Sequence, residues 1–428
     1  MFQRLLIDLD MTSNNFWSVV LRVSSACLKF LLLLYLAKIL SVEDLGVFGL
    51  ITAIVMISVQ VIGAEFHSVT SRIITSSSKA KTLRTVQMQV SIQLVLHLLA
   101  LPIIFLLMTY YLNQLPFSLV VTALVLVEHF AIEFSRLTQF LMRPFMSAVL
   151  AFLRSGAWVV GLFIMLQLSL FEATVLNILI IWTLFSALAS MVGVVCLKEY
   201  FRPLILFRFS KFEISKMLKG SVPFFLMAVM ASLGANLDKF IIKQSIDLAA
   251  VGVFYFFFSI ASSISLFVSF GAGMIYGPKC IKVFRTCGFE AFKKMKTRYA
   301  KVSLIYGSIG LMLLSILIVP VLQILGKSYY SDYLPLYFIF LAMHAIVLVA
   351  DFYHLDMYAR NMDRELLAVA FVNLIFVACI QYTLIDLFGL YGAGAAALIS
   401  ALFLLLSRKA AFVLGLRRHP DLLYSYRA

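Results

Sequence analysis

Leu40-Ser-Val-Glu-Asp-Leu-Gly-Val-Phe48 and Ile246-Asp-Leu-Ala-Ala-Val-Gly-Val-Phe254 carry one pattern at two places in the chain. Each joins two long apolar runs. Each places an acidic residue and then Gly-Val-Phe at the mouth of the second run. An acid there complements the positive end of a helix, and glycine permits a tight entry. The pattern recurs at the same joint of two halves, so it reads as an internal repeat.

The apolar runs fall near 15–40, 44–64, 86–112, 117–141, 146–168 and 173–197, then 220–244, 249–277, 303–325, 334–358, 366–387 and 389–407. A membrane crossing needs roughly 20 mostly apolar residues. Composition agrees: 63% of the 428 residues are hydrophobic and 13% are charged, with a mean hydropathy of +1.03. A soluble chain carries about 25% charged residues. The expected fold is an all-α integral membrane protein of about twelve transmembrane helices. The formal net charge of +15 would suggest nucleic acid in a soluble protein. Here the basic residues lie between apolar runs, so membrane topology explains them and nucleic acid is excluded as a partner.

The loops alternate in charge. Arg72, Lys79, Lys81 and Arg84 follow the second run, and Arg143 follows the fourth. Lys198, Arg202, Arg208, Lys211, Lys216 and Lys219 follow the sixth. Lys279 through Lys301 supply a basic loop after the eighth, Arg360 and Arg364 follow the tenth, and Arg408, Lys409, Arg417, Arg418 and Arg427 follow the last. The other loops carry almost no basic residues. The positive-inside rule then places both termini in the cytoplasm. The start of the chain, with Asp8 and Asp10, lacks the apolar core of a cleavable signal. The two large basic loops read as short amphipathic helices on anionic membrane lipids, or as solvated linkers. Each half holds six runs, so the halves run in the same direction. Such repeats are related by a pseudo-two-fold axis along the membrane normal, with a central cavity between lobes expected at 1–205 and 206–428.

Charges within the runs need a reason, since each costs about 2.5–3.5 kcal/mol at mid-bilayer. Asn15, Ser18, Arg22, Ser25 and Lys29 step by three and four along one face of the first helix. The seventh run repeats the theme with Ser232, Asn236, Lys239 and Lys243, and the fifth carries a lone Arg154. Arg22, Lys29, Arg154 and Lys239 are the candidate cations for an anionic cargo. Structural pairing with carboxylates is the competing account. In the fourth run Glu133 shares a face with His129 and Arg136, and in the tenth Asp351 shares one with His344 and His354. Asp351, Glu133 and Asp238 are the candidates for coupling to an ion, H+ or Na+. Glu133 and Arg136 could instead neutralise each other.

The five cysteines form no CxxC pair and read as free thiols. No GxSxG, HExxH or P-loop occurs, so neither catalytic site, metal, cofactor nor ATP is expected. The expected far-side loops are short, which weighs against a membrane-embedded glycan-assembly enzyme.

At this point the chain resembles a family. Leu36-Ala-Lys-Ile-Leu-Ser-Val-Glu-Asp-Leu-Gly-Val-Phe-Gly-Leu-Ile51 is similar to the first helical joint of the polysaccharide transporters, the O-antigen or repeat-unit flippases. Asn236-Leu-Asp-Lys-Phe-Ile-Ile-Lys243 with Ala250-Val-Gly-Val-Phe254 looks like the counterpart joint, and Gly389-Leu-Tyr-Gly-Ala-Gly-Ala-Ala396 like the opening of their last helix. That family belongs to the multidrug/oligosaccharidyl-lipid/polysaccharide exporters. The resemblance implies alternating access in a bacterial cytoplasmic (inner) membrane. It implies a sugar repeat unit on undecaprenyl pyrophosphate as cargo, moved from the inner to the outer leaflet, and it allows a polysaccharide polymerase as partner. A multidrug or metabolite cation antiporter of the same superfamily is the alternative, which a cationic cavity disfavours.

Overall fold

The computed structural model describes residues 13–74, 78–112, 114–201 and 209–418. Asp8, Asp10, Arg202, Arg208 and Arg427 lie outside the described residues, as does the side chain of Asn15. Every regular element described is helical. A helix satisfies all its backbone polar groups internally, which a lipid environment demands.

The first elements are α1 (Ser13–Ile39), α2 (Val42–Gly63), α3 (Phe66–Ile74), α4 (Lys79–Leu112), α5 (Leu115–Phe140), α6 (Pro144–Gln167) and α7 (Val175–Cys196). Then follow α8 (Lys211–Gly234), α9 (Leu237–Ser245), α10 (Leu248–Val268), α11 (Met274–Cys287), α12 (Phe289–Leu325), α13 (Leu334–Ala359) and α14 (Asp363–Arg418). Proline at the first turn opens α5, α6 and α13, where its missing N–H costs nothing. Thr174 caps α7 by accepting the Asn177 N–H at 3.3 Å. Left-handed Gly326 closes α12.

Among the described residues, eleven helical segments are long and apolar enough to cross a membrane. The last, at 56 residues, would measure about 84 Å if straight, far more than a bilayer core of ~30 Å. It breaks at Gly389 (φ 58°, ψ −137°). A β-carbon on Gly392 would sit 1.8 Å from the Leu384 carbonyl oxygen. Residues eight apart lie about 12 Å apart along a continuous helix, so the chain turns back on itself here. The two limbs give the twelve crossings expected.

The chain packs as two compact units. One holds the residues up to Leu32 together with Ile51–Val229, the other Leu33–Leu50 with Met230–Ala428. These cuts differ from the repeat-based lobes 1–205 and 206–428, and the repeat itself explains why 33–50 belongs with the second unit. A β-carbon on Gly46 would lie 2.1 Å from the Leu248 carbonyl oxygen, and one on Gly252 would lie 2.0 Å from that of Val42. The two joints thus interlock reciprocally, backbone against backbone. Each is capped at the equivalent position: Ser41 Oγ accepts the Asp44 N–H at 3.0 Å, and Asp247 Oδ1 accepts the Ala250 N–H at 2.7 Å. Phe48 meets Tyr255 edge to face at 6.1 Å. Lys327 donates to the Leu40 carbonyl at the same joint.

Within the first unit α5 packs along α4 and α7; within the second α13 packs along α10 and α14. Asp356 at the end of α13 takes an ion pair from Lys296. Its neighbour Arg360, 2% exposed, sits 5.0–5.7 Å from the rings of Phe284, Phe289, Phe292 and Phe412. Burial in this aromatic box lowers the Arg360 pKa, against which Asp356 acts. This box was not legible from the sequence, where Arg360 counted only as a loop charge.

Candidate functional site

The polar face of α1 meets α5 and α6 inside the first unit. Arg22 and Lys29 are seven residues apart, two turns, so they stand on one face about 10 Å apart along the axis. Arg22 donates to Ser147 Oγ at 3.2 Å and to Gln139 Oε1 at 3.5 Å, both neutral partners. Lys29 is exposed and makes no hydrogen bond or ion pair among the described residues. It lies within electrostatic reach of Arg154 and Glu128. Ser25 does not join this face as a ligand; its hydroxyl donates to the Leu21 carbonyl at 2.8 Å.

Arg154 is not the lone cation the sequence suggested. It lies on a single π-helical turn, Leu153–Ala157, within α6, a distortion often found at functional sites. Its guanidinium pairs with Glu128 of α5. Glu128, fully buried, also accepts Ser186 Oγ at 2.7 Å and Trp182 Nε1 at 3.3 Å from α7. Trp182 stacks on Trp158 at 5.5 Å. Lys29, Arg154 and Glu128 therefore lie within electrostatic reach of one another, and Arg22 stands two turns away along α1 with neutral partners. Trp182 and Ser186 gave no sequence signal, because an apolar helix with one tryptophan and two serines looks like any packed span.

Lys239 takes a different place. Helical backbone lapses between α8 and α9, and Asn236 precedes the first turn of α9. Asp238 Oδ1 accepts both the backbone N–H and the Nζ of Lys239, at 2.7 and 3.2 Å. Adjacent residues on a regular helix do not share a face, but at a helix start the side chain can bend back. Lys239 is buried between this carboxylate, Asn236 and the rings of Phe254 and Phe258. Its charge is matched, as is that of Asp238.

The remaining carboxylates also have basic partners. Asp351, half exposed, accepts Arg408 at 2.7 Å. Glu133, 1% exposed, accepts Arg136 at 2.9 Å. Its other oxygen takes the amides of Gln89 at 2.6 Å and Gln93 at 3.1 Å from α4. These three sites and the Arg22–Lys29 face are separate groups of contacts.

The fold class is now defined: an all-α, multi-pass membrane protein. The chain belongs to the family described as Polysaccharide biosynthesis protein, which matches residues 11–276. No curated protein matches it in sequence. Among solved structures it is similar to an inward-facing multidrug resistance MATE family transporter of the MOP superfamily. The TM-score is 0.74 at 14% identity, over 94% of this chain and 98% of that one. It is also similar to the lipid II flippase MurJ in an inward closed conformation, with TM-score 0.66 and 12% identity over 92% and 89%. At such identities the likeness concerns the fold alone.

Proposed function

We propose that this protein is a flippase for an undecaprenyl-pyrophosphate-linked oligosaccharide, a repeat unit of O-antigen or a similar surface polysaccharide. It carries the cargo from the inner to the outer leaflet of the bacterial cytoplasmic membrane by alternating access, with both termini in the cytoplasm and an ion as driving partner. The family membership supports the pathway. The observation that carries the reading is the α1 face, where, among the described residues, neither Arg22 nor Lys29 makes an ion pair, while Glu128 holds Arg154. Charge unmatched inside a membrane protein favours an anion that arrives and leaves, and pyrophosphate offers several acceptor oxygens to such donors. Glu128-bound Arg154 joins this face as a positioned third cation.

The test is export of surface glycan in cells depending on Arg22→Ala, Lys29→Ala or the double variant. The expected result is at least a tenfold loss in the double variant, with folded protein at wild-type level and lipid-linked repeat units accumulating inside. Wild-type surface glycan in the double variant would overturn the reading. A cation antiporter remains the rival suggested by the fold. It predicts instead that efflux of a cationic dye depends on this chain, and that removing the two cations leaves efflux intact or raises it.

A further inference from the structure

The buried neighbourhood of Glu133 contains more unmet hydrogen-bonding capacity than the ion pair with Arg136 explains. His97 of α4 and His129 of α5 are 2% and 1% exposed, with ring centroids 4.7 Å apart. His97 Nδ1 lies 2.7 Å from the Gln93 carbonyl oxygen. A carbonyl only accepts, so Nδ1 carries the proton and Nε2 presents a bare lone pair. Among the described residues that Nε2 has no hydrogen-bond partner, and neither nitrogen of His129 has one. Gln89 and Gln93 spend their amide N–H groups on Glu133, and their buried carbonyl oxygens are unpartnered too. The orphans are thus four acceptors and a single donor. What the site lacks is positive hydrogen.

His67 of α3 behaves otherwise. Its Nδ1 accepts Arg136 Nη1 at 3.1 Å, and its Nε2 lies 3.2 Å from Glu65 Oε2, so both nitrogens have polar neighbours. The charged and titratable groups around the His97–His129 pair are therefore Glu133 and Arg136 on α5, His67 on α3, and Glu65 between α2 and α3. His129 Nε2 comes within 3.3 Å of where a β-carbon on Gly63 would be. Gly63 is the last residue of α2, and the next two, Ala64 and Glu65, are non-glycine residues at φ 45° and 53°.

We infer that His97 and His129 form the protein's proton-binding site, one excess proton shared between the two imidazoles and balanced by Glu133. Imidazole nitrogen is a poor ligand for a hard cation such as Na+, which prefers oxygen, and it is the natural acceptor of a proton near neutral pH. The step is a single protonation: H+ adds to the Nε2 lone pair of His97, one N–H bond forms, and nothing leaves. The new N–H places a positive charge against the facing imidazole, whose ring centroid is 4.7 Å away, in a pocket where the glutamine oxygens are unpartnered. A charge appearing there presses on Gly63 and the left-handed pair beyond it, a joint already away from the favoured backbone regions. This inference deepens the ion-coupled reading above and rests on that reading for its purpose, but the protonation itself can be tested without any cargo.

The chain has six histidines, few enough for imidazole 15N resonances to be resolved in histidine-labelled full-length protein in nanodiscs. His97→Gln and His129→Gln assign the two signals. The expected result is that both signals titrate together between pH 5 and 8. Deleting either ring should move the other's midpoint by a full pH unit or more, a tenfold change in proton affinity, and Glu133→Gln should move the shared midpoint downward. Where a variant fails to fold, the wild-type titration decides alone. Rings fixed in one protonation state across this range, independent titrations, or signals that answer to 150 mM Na+ instead of pH would each overturn the inference. Such a failure leaves the flippase reading standing, and a failure of the Arg22/Lys29 export test leaves the ring titration measurable.

Discussion

Glu128→Gln is the sharpest test of how the cationic site is held. The substitution keeps the side-chain volume and removes one charge from a carboxylate that is fully buried. Three donors converge on it: the Arg154 guanidinium, Ser186 at 2.7 Å and Trp182 at 3.3 Å. Breaking a buried ion pair by removing one partner costs about 3–5 kcal/mol, because the other charge is left without compensation. The Arg154 side chain is 18% accessible, so part of its charge can be solvated and the lower end applies, about 3 kcal/mol. The nearby positive charge of Lys29 works against any relief. Removing the stranded cation as well, in Glu128→Gln/Arg154→Met, should return most of the loss, giving a coupling of about 2 kcal/mol in the double-mutant cycle. The readout is denaturant unfolding in detergent followed by tryptophan fluorescence. The chain has three tryptophans, and two of them, Trp158 and Trp182, stack at this site. Glu128→Gln unfolding within 0.5 kcal/mol of wild type, by the ~0.5 kcal/mol usual for neutral surface changes, would refute the reasoning. So would a double variant no more stable than the single one.

Gly46→Ala or Gly252→Ala places a β-carbon about 2 Å from a backbone carbonyl; the helices must separate, and an overpacking loss of about 1–3 kcal/mol should appear as a lower unfolding midpoint in each. Gly389→Ala puts an L-residue at φ 58°, ψ −137°, a region open to glycine alone, and should cost about 1–3 kcal/mol by the same measurement. Arg360→Met leaves the aromatic box filled but strips Asp356 of one of its two cations; a loss of about 2 kcal/mol is expected, less than for a sole partner because Lys296 remains. Asp351→Asn removes a pair whose acid is half exposed and should change stability by less than about 1 kcal/mol.

What could be read in advance follows the range of each interaction. Span positions, twelve in number, came from runs of about 20 residues, and a hydrophobic run keeps its meaning wherever it packs. The last two spans were separable as the apolar runs 366–387 and 389–407, and the structure places the break between them at Gly389. Glu133 and Arg136 were legible as a pair because three residues on a helix bring side chains together. Asp238 and Lys239 fall outside the same rule, since it assumes regular helix and their pair forms where the helix starts. Arg154 and Glu128 are 26 positions apart on different helices, and Asp351 and Arg408 are 57 apart. Periodicity says which face a charge occupies and nothing about which helix that face meets.

That limit also separates the two cationic readings the sequence could not. A membrane cation either has an acid waiting on another helix or lacks one, and the sequence counts both alike. Arg154 and Lys239 have their acids, and Arg22 and Lys29 make no ion pair among the described residues. The α1 stripe therefore carries the argument for an anionic cargo almost alone, and the argument is stronger for it. If all four cations were free, their mutual repulsion would itself need explaining. With Glu128 buried beside them, one carboxylate anchors the neighbouring helix while two charges stay available, which is the arrangement a site needs if it must attract an anion and later release it.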